Sequence, residues 1–162
     1  MKKYSIFDIT TVTVSKATED DIRSIFFLQK RAFVQEAEIN GGNYGISPIK
    51  QTFTELVQEF SDYTYLKAVV NSTIIGSVRA VQKEDTCLIG RLMTEPVFQN
   101  FGLGTILMNA IETAFPNVKR FELFTGEAST GNVRFYLNRG YRIFDKKEDV
   151  PGVWLVMFEK LR

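Results

Sequence analysis

The residues best suited to chemistry form a glycine turn, which links an apolar strand-like run to an apolar helical run. The turn extends from Pro96 to Thr105 and carries Gly102 and Gly104. A strand that stops at a proline and turns through glycines into a helix directs free backbone N–H groups at one point. The helix dipole adds partial positive charge there. The turn therefore predicts an anion site that holds a phosphorylated ligand.

Three phosphate-binding signatures compete for this turn. A P-loop requires a lysine directly after its second glycine, and none follows Gly104. A dinucleotide-binding fingerprint requires a third glycine where this chain has Leu107. The pattern Gln/Arg-x-x-Gly-x-Gly/Ala, with a proline three residues before it, is met by Pro96, Gln99, Gly102 and Gly104. The alternative without function is an ordinary strand–helix turn whose glycines allow a tight bend.

A second segment begins at Asn132, continues with the aromatic pair Phe135-Tyr136 and ends with Gly140-Tyr141. Together with the glycine turn, it resembles the GNAT N-acetyltransferase superfamily, in which the loop amides hold the pyrophosphate of coenzyme A (CoA). The two motifs stand in the expected order along the chain, which is far more specific than either motif alone. We therefore interpret the sequence as that of a small member of this superfamily.

The resemblance covers about residues 64–145 and implies a set of contacts with acetyl-CoA as co-substrate. The implied cofactor-binding residues are Leu92, Met93, Thr94, Gln99, Asn100, Phe101, Gly102, Leu103, Gly104, Thr105, Asn132 and Tyr136. The Leu92–Thr94 backbone is expected to pair with the pantetheine arm and the acetyl carbonyl. The amides of residues 100–105 are expected to hold the pyrophosphate, with Gln99 positioning the loop. A Cβ on either glycine would keep the backbone from the phosphates.

The resemblance also implies one catalytic residue. Tyr136 is expected near the sulfur, where its phenol would protonate the leaving thiolate. The alternative is a core aromatic residue whose hydroxyl is satisfied elsewhere. Asn132 is expected to contact the cofactor, and its alternative is a plain helix N-cap. Arg91 is either a solvent-side residue or a substrate contact, and its type and position leave both interpretations open.

The implied reaction is direct transfer of acetyl from acetyl-CoA to a primary amine of a small molecule or peptide. The amine must first lose a proton, so a base or a chain of waters is required. Glu84, Glu95 and Glu122 are the carboxylates nearest the places where some family members carry a base, and the assignment stays open. A catalytically silent CoA-binding regulatory or scaffold protein is the alternative function. A nucleotide-binding module is disfavoured by the missing lysine and third glycine.

The acceptor is expected over the gap between the strand ending at Thr94 and the strand ending at Thr125, walled by residues 26–50. Four residues of that wall could receive a cationic amine, two as carboxylates and two as aromatic rings. They are Glu36, Glu38, Phe33 and Tyr44.

Composition limits the other classes of function. The formal net charge of +1 argues against a broad surface for nucleic acid or an anionic membrane. The absence of histidine removes Ser-His and Cys-His nucleophiles and most zinc sites, so we expect no metal. The single cysteine, Cys87, excludes an internal disulfide, fits a cytoplasmic protein and is expected to be a buried structural thiol.

The 162 residues suit one domain over 1–162, acting as a monomer or homodimer. No apolar run approaches the ~20 residues of a membrane span. Tyr4 to Val12 lacks the sustained apolar core of a signal peptide.

Periodicity predicts a mixed α/β layer fold with helices on both faces of the sheet, and the resemblance implies that this fold is GNAT-like. The predicted sheet is mostly antiparallel with one parallel pair, formed by the strands before and after the helix that follows the glycine turn. Predicted strands cover 11–16, 65–70, 73–81, the run ending at Thr94, 121–125, 141–144 and 153–158. Predicted helices cover 22–37, 102–115 and a short segment from Asn132. A further helix is predicted from Pro48, with Phe53, Leu56, Val57 and Phe60 as its apolar stripe.

Overall fold

A computed structural model describes residues 7–162, so the part of the predicted non-signal segment before Phe7 lies outside the described residues. The strands are β1 (Thr13–Lys16), β2 (Thr64–Val70), β3 (Thr73–Lys83), β4 (Thr86–Thr94), β5 (Arg120–Gly126), β6 (Arg142–Val150) and β7 (Val153–Leu161). The helices are α1 (Ile22–Ile39), α2 (Ser47–Lys50), α3 (Phe53–Glu59), α4 (Leu103–Ala114) and α5 (Thr130–Asn138).

The seven strands form one sheet in the order β1-β2-β3-β4-β5-β7-β6. Strands β4 and β5 run parallel, and the other neighbouring pairs are antiparallel. The predicted fold class is therefore confirmed, including the parallel pair across α4. The β2–β3 hairpin turns at Asn71-Ser72, as predicted, with φ of +48° and +63° at the two residues.

The helices cover both faces of the sheet because neighbouring residues of each strand point to opposite sides. Leu66 of β2 joins the apolar cluster beneath α4 and α5, which includes Leu107 and Met108. Tyr65 joins a second cluster beneath α1 and α3. A Cβ on Gly76 would lie 3.0 Å from the Leu107 side chain, so α4 packs closely on β3.

Two predicted elements are wrong in extent. The helix predicted from Pro48 is two short helices, since Thr52 caps α3 by accepting a hydrogen bond from the Glu55 amide. Its apolar stripe is also incomplete, because Phe53 is 44% exposed. The last hairpin is longer than predicted, and β6 continues through charged residues to Val150. Such charge is usual on an edge strand, where it opposes pairing with other chains.

A carboxylate under the end of α4 ties three elements together. Glu112 accepts hydrogen bonds from the Tyr141 hydroxyl and the Lys160 ammonium, each at 2.8 Å. Arg139 Nη2 lies 3.3 Å from the same carboxylate. Burial opposes the charge, but these hydrogen bonds outweigh it and hold the pKa of Glu112 below its usual value.

We expect Glu112→Gln to lower the free energy of unfolding by about 1–3 kcal/mol at pH 7, because it removes a half-buried charged acceptor. Since the folded-state pKa is depressed, this stabilisation is present above the unfolded-state pKa, ~4.3, and is lost as pH falls through the folded value. Urea unfolding of both proteins between pH 3 and 7 measures the difference.

Asp85→Asn is the matched control, because the Asp85–Lys119 pair is exposed and should contribute little. A loss for Glu112→Gln that stays constant down to pH 3 contradicts the electrostatic explanation.

Candidate active site

The strands β4 and β5 diverge after a short paired stretch. Their parallel pairing covers only Thr86–Leu88 against Arg120–Glu122. Beyond it, residues 89–94 of β4 and 123–126 of β5 no longer pair with each other, although each strand keeps its outer neighbour. The facing backbone groups of the two strands border an open V. An extended ligand could pair with them as a short additional strand.

A bulge in β4 lies within the diverging part. Gly90 pairs with Arg79 and Met93 with Ser77, so Arg91 and Leu92 together oppose Val78. Arg91 has φ of +51°, an uncommon and strained conformation for a residue other than glycine. Leu92, the second residue of the bulge, faces the α4 side of the sheet, and Met93, which follows it, faces the α1 side. The bulge therefore sets which side chains face each side of the V.

The glycine turn carries the chain from β4 to α4 as predicted. A 3-10 turn covers Pro96–Phe98, Asn100 has φ of +66°, and Gly102 has φ of +89° as the N-cap of α4. In the described part of the chain, no side chain caps this helix. Its first backbone hydrogen bond runs from the Ile106 amide to the Gly102 carbonyl. The preceding amides of the first turn are left for an anion.

Side chains from other elements hold the turn in place. The Phe7 ring packs edge-on against Phe98 and Phe101, at centroid distances of 4.8 and 5.2 Å. The Gln99 amide donates a hydrogen bond of 2.8 Å to Gln35 of α1. Gln99 therefore ties the loop to α1, and its role in cofactor binding stays a prediction.

The two glycines of the turn differ in how strongly their surroundings and backbone conformation favour glycine. Gly102 has open space around a would-be Cβ, so its positive φ is what favours glycine there. A Cβ on Gly104 would lie 3.5 Å from the Phe135 ring, an ordinary contact. Leu103 is buried beneath the turn, whereas Thr105 is exposed. Of the two glycines in the turn, therefore, only Gly102 has a backbone conformation that favours glycine.

At the open end of β5, α5 meets α1. Asn132 lies inside α5, whose N-cap is Ser129, so the N-cap alternative for Asn132 is wrong. The Asn132 amide lies 3.3 Å from the Thr125 hydroxyl and 3.5 Å from Glu36 Oε2. The Ser129 hydroxyl donates a hydrogen bond to Glu36 Oε1. Glu36 therefore reaches from one face of the sheet past the end of β5 to the other.

Tyr136 lies one turn beyond Asn132 and is buried against Tyr141 and Phe158, with ring centroids 5.9 and 5.6 Å away. Burial, followed by the nearby charge of Glu36, raises the pKa of the Tyr136 phenol. The phenol therefore keeps its proton at neutral pH. Both interpretations of Tyr136, as a proton donor and as a core aromatic residue, are therefore compatible with its burial.

The three predicted base candidates lie in different surroundings. Glu84 stands in the β3–β4 turn with φ of +54°. Glu122 lies where β4 and β5 still pair, 2.5 Å from the Arg120 guanidinium. Glu95 lies at the open end of β4, but Arg31 of α1 binds both of its oxygens. Each carboxylate is thus either away from the open V or paired with an arginine.

Cys87 agrees with the expectation of a buried structural thiol. Cys87 is fully buried on β4, and burial raises the pKa of its thiol to about 12. Within residues 7–162, no helix is long and apolar enough to cross a membrane. No group of acidic or cysteine side chains in that same range could hold a metal ion.

The sequence model of the Acetyltransferase (GNAT) family matches residues 16–141. The chain belongs to this GNAT family. An uncharacterised N-acetyltransferase of Methanocaldococcus jannaschii is 26% identical over an alignment of 170 positions, which covers 99% of this chain and 71% of that protein. The region matched by the family model, residues 16–141, contains both motifs of this GNAT chain.

Solved structures share the fold of this GNAT chain. The PaiA N-acetyltransferase of Thermoplasma acidophilum, in complex with coenzyme A, has a TM-score of 0.77 at 16% identity, covering 93% of this chain and 99% of that one. A GNAT acetyltransferase of Elizabethkingia anophelis with acetyl-CoA bound has a TM-score of 0.68 at 20% identity, covering 94% and 99%.

Sequence reasoning missed how Glu36 and Arg91 are placed. Glu36 was expected only as part of an acidic wall, and its contact with Ser129 joins residues 93 positions apart. Arg91 was left open, because an arginine inside an apolar strand carries no signal for a bulge. A charged residue in an apolar run was the one available clue.

We expect Gly102→Ala to lower the free energy of unfolding by about 1 kcal/mol, because φ of +89° strains any residue with a Cβ. Gly104→Ala is the matched control within the same turn. It lies in α4 with ordinary space for a Cβ, and alanine favours helix by up to ~1 kcal/mol. Urea unfolding compares the two variants, and equal losses would contradict the assignment of the positive φ.

Proposed function

We propose that this GNAT chain is an acetyl-CoA-dependent N-acetyltransferase that acetylates a primary amine. The observation that carries the proposal is one juxtaposition. On its β5 side the backbone of β4 at Leu92–Thr94 is unpaired, and the glycine turn then leads to the N-terminus of α4, whose first amides no side chain of the described residues caps. An extended arm ending in a pyrophosphate matches that surface along its length.

The residues present fit such a cofactor. The amides of residues 100–105 would bind its phosphates, with Gln99 and Phe101 holding the loop. The backbone of Leu92–Thr94 would bind the pantetheine arm, and Asn132 would contact it from α5. When bound, acetyl-CoA supplies an activated acyl group as a thioester. A β4 amide directed at the carbonyl oxygen would stabilise the charge that develops there.

Two side chains would move protons at opposite ends of the transfer. A new N–C bond forms as the C–S bond breaks, so the amine loses a proton and the thiolate gains one. We assign the amine proton to Glu36, the carboxylate that lies at the open end of β5 beside Ser129 and Asn132. We assign the thiolate proton to Tyr136, because the resemblance implies that this residue lies at the sulfur and its phenol is protonated at neutral pH.

The proposed function is tested in two steps. Thermal shift with acetyl-CoA, CoA, ATP and NAD reports the cofactor class, and we expect stabilisation by the two CoA species. Release of free thiol over a panel of amines then reports turnover. Stabilisation by ATP or NAD but not by CoA contradicts the proposal. Binding of CoA without thiol release from any amine favours the silent regulatory or scaffold protein.

We expect Glu36→Gln to lower kcat about 100-fold at pH 7, because general-base catalysis typically contributes that much or more. The loss should shrink as pH rises toward the pKa of a free amine, ~10, where the acceptor is already neutral. Steady-state kinetics between pH 7 and 10 measure this recovery.

Glu38→Gln is the matched control, since Glu38 is exposed on the same helix and makes no such contact with α5. Tyr136→Phe should lower kcat while leaving the Kd for CoA unchanged. An unchanged rate for either Glu36→Gln or Tyr136→Phe removes that residue from the mechanism without affecting the proposed cofactor.

A further inference from the structure

Arg91 is a cation that the fold desolvates without giving it a carboxylate. Its Nη2 donates a hydrogen bond of 3.1 Å to the Ser47 hydroxyl, at the start of α2. Its Nε is buried and has no acceptor among residues 7–162. The Phe33 ring of α1 lies 6.0 Å from the guanidinium carbon. Within that same range, no carboxylate forms a salt bridge with Arg91.

The neighbouring cations are already satisfied. Arg79 pairs with Glu59, donates to the Tyr65 hydroxyl at 3.1 Å, and lies 4.1 Å from the Tyr63 ring. The Lys30 ammonium donates to backbone carbonyls of α2 and of its C-cap, among them Ile49. Burial first, and then the charge of Arg79, lower the pKa of Arg91 to about 10. Arg91 therefore lies near another positive charge, and its buried Nε has no acceptor among residues 7–162.

Two free-energy costs coincide at this residue. A buried charge without a partner is unfavourable, and φ of +51° adds backbone strain. An apolar side chain would fill the space without the first of these costs. Such costs gather where a structure binds a ligand, because the ligand restores what the protein alone leaves unpaired.

The position of Arg91 indicates which ligand it would meet. Leu92 faces the α4 side, where the glycine turn lies, whereas Arg91 contacts Phe33 and Ser47 on the α1 side. Phe33 and Glu36 are three residues apart on α1 and therefore neighbours on one helix face. Arg91 and Glu36 thus border the same side of the sheet, one with an unpaired cation and the other with a carboxylate.

We propose that Arg91 binds an oxyanion, a carboxylate or a phosphate, carried by the amine acceptor itself. The inference rests on the proposed acetyltransferase function. Glu36 would take the amine end of the acceptor, and the guanidinium fork of Arg91, with the Ser47 hydroxyl, would take the anionic end. The acceptor class is then a small amine that also carries a negative charge, such as an amino acid or an aminoalkyl phosphate.

Matched acceptor pairs test this charge requirement in the unaltered protein. Amino carboxylic acids are compared with their carboxamides, and an aminoalkyl phosphate with its aminoalcohol. We expect the anionic member of a pair to have a kcat/KM about 10- to 100-fold higher than its partner, because its KM is lower. The preference of the protein between the carboxylate and the phosphate acceptors then identifies the anion. Calorimetry of the same pairs with CoA-saturated protein measures the affinity for each acceptor without turnover. Equal binding and equal rates within every pair overturn the proposal.

Arg91→Gln and Arg91→Lys test the residue. We expect Arg91→Gln to abolish the preference within a pair, raising KM for the anionic member and leaving the Kd for CoA unchanged. Arg91→Lys should retain part of the preference, because the charge remains and the fork is lost. A Kd for CoA that rises in parallel would reassign Arg91 to the cofactor. Failure of CoA binding in the unaltered protein rejects the proposed function, whereas bound CoA with no preference for charge rejects only this inference.

Discussion

The separation of β4 from β5 is the constraint on which the rest of this structure depends. Two parallel strands that stayed paired to their ends would leave no free backbone between them. Here the pairing stops at Leu88, and the bulge at Arg91 turns the remainder of β4. The same strand then ends at a proline and delivers the chain to the N-terminus of α4. The extended backbone that lacks a β5 partner and the uncapped amides of α4 consequently belong to one continuous stretch of chain.

The two faces of the sheet present different groups at this opening. The α4 side carries the glycine turn, with the Phe135 ring beside Gly104. The α1 side carries a mixed set of charges, in which Arg79 and Glu59 satisfy each other and Arg91 does not. Donor and acceptor would therefore approach from opposite faces and meet at the open V. Under the proposed function, such an arrangement would favour direct transfer, because each ligand would have its own entrance.

The features that could be predicted from sequence are those with a local cause. Pro96, Gly102 and Asn71 each act through their own backbone preference, so the glycine turn and the β2–β3 hairpin were predicted correctly. The break between α2 and α3 also had a local signal, the Thr52 and Glu55 capping box, which the apolar spacing obscured.

The features that could not be predicted depend on tertiary contacts. The charge of Arg91 in an apolar run is a clue to its unusual placement but does not specify a bulge, since the residue gains its conformation from the pairing of β4 with β3. Glu36 meets Ser129 only because α1 and α5 pack at the same end of the sheet. The roles proposed for Tyr136 and Asn132 came from resemblance, and burial alone would have placed Tyr136 in the core.

One helix touches both arms of the V. Through Arg31 and Gln35, α1 holds the end of β4 and the glycine turn, and through Glu36 it holds the start of α5 beyond β5. The width of the V therefore cannot change without moving or releasing this helix. Any ligand that sets the width also sets the position of Phe33 and Glu36 on the opposite face. By thermodynamic reciprocity, the two substrates of such a site would each alter the affinity for the other.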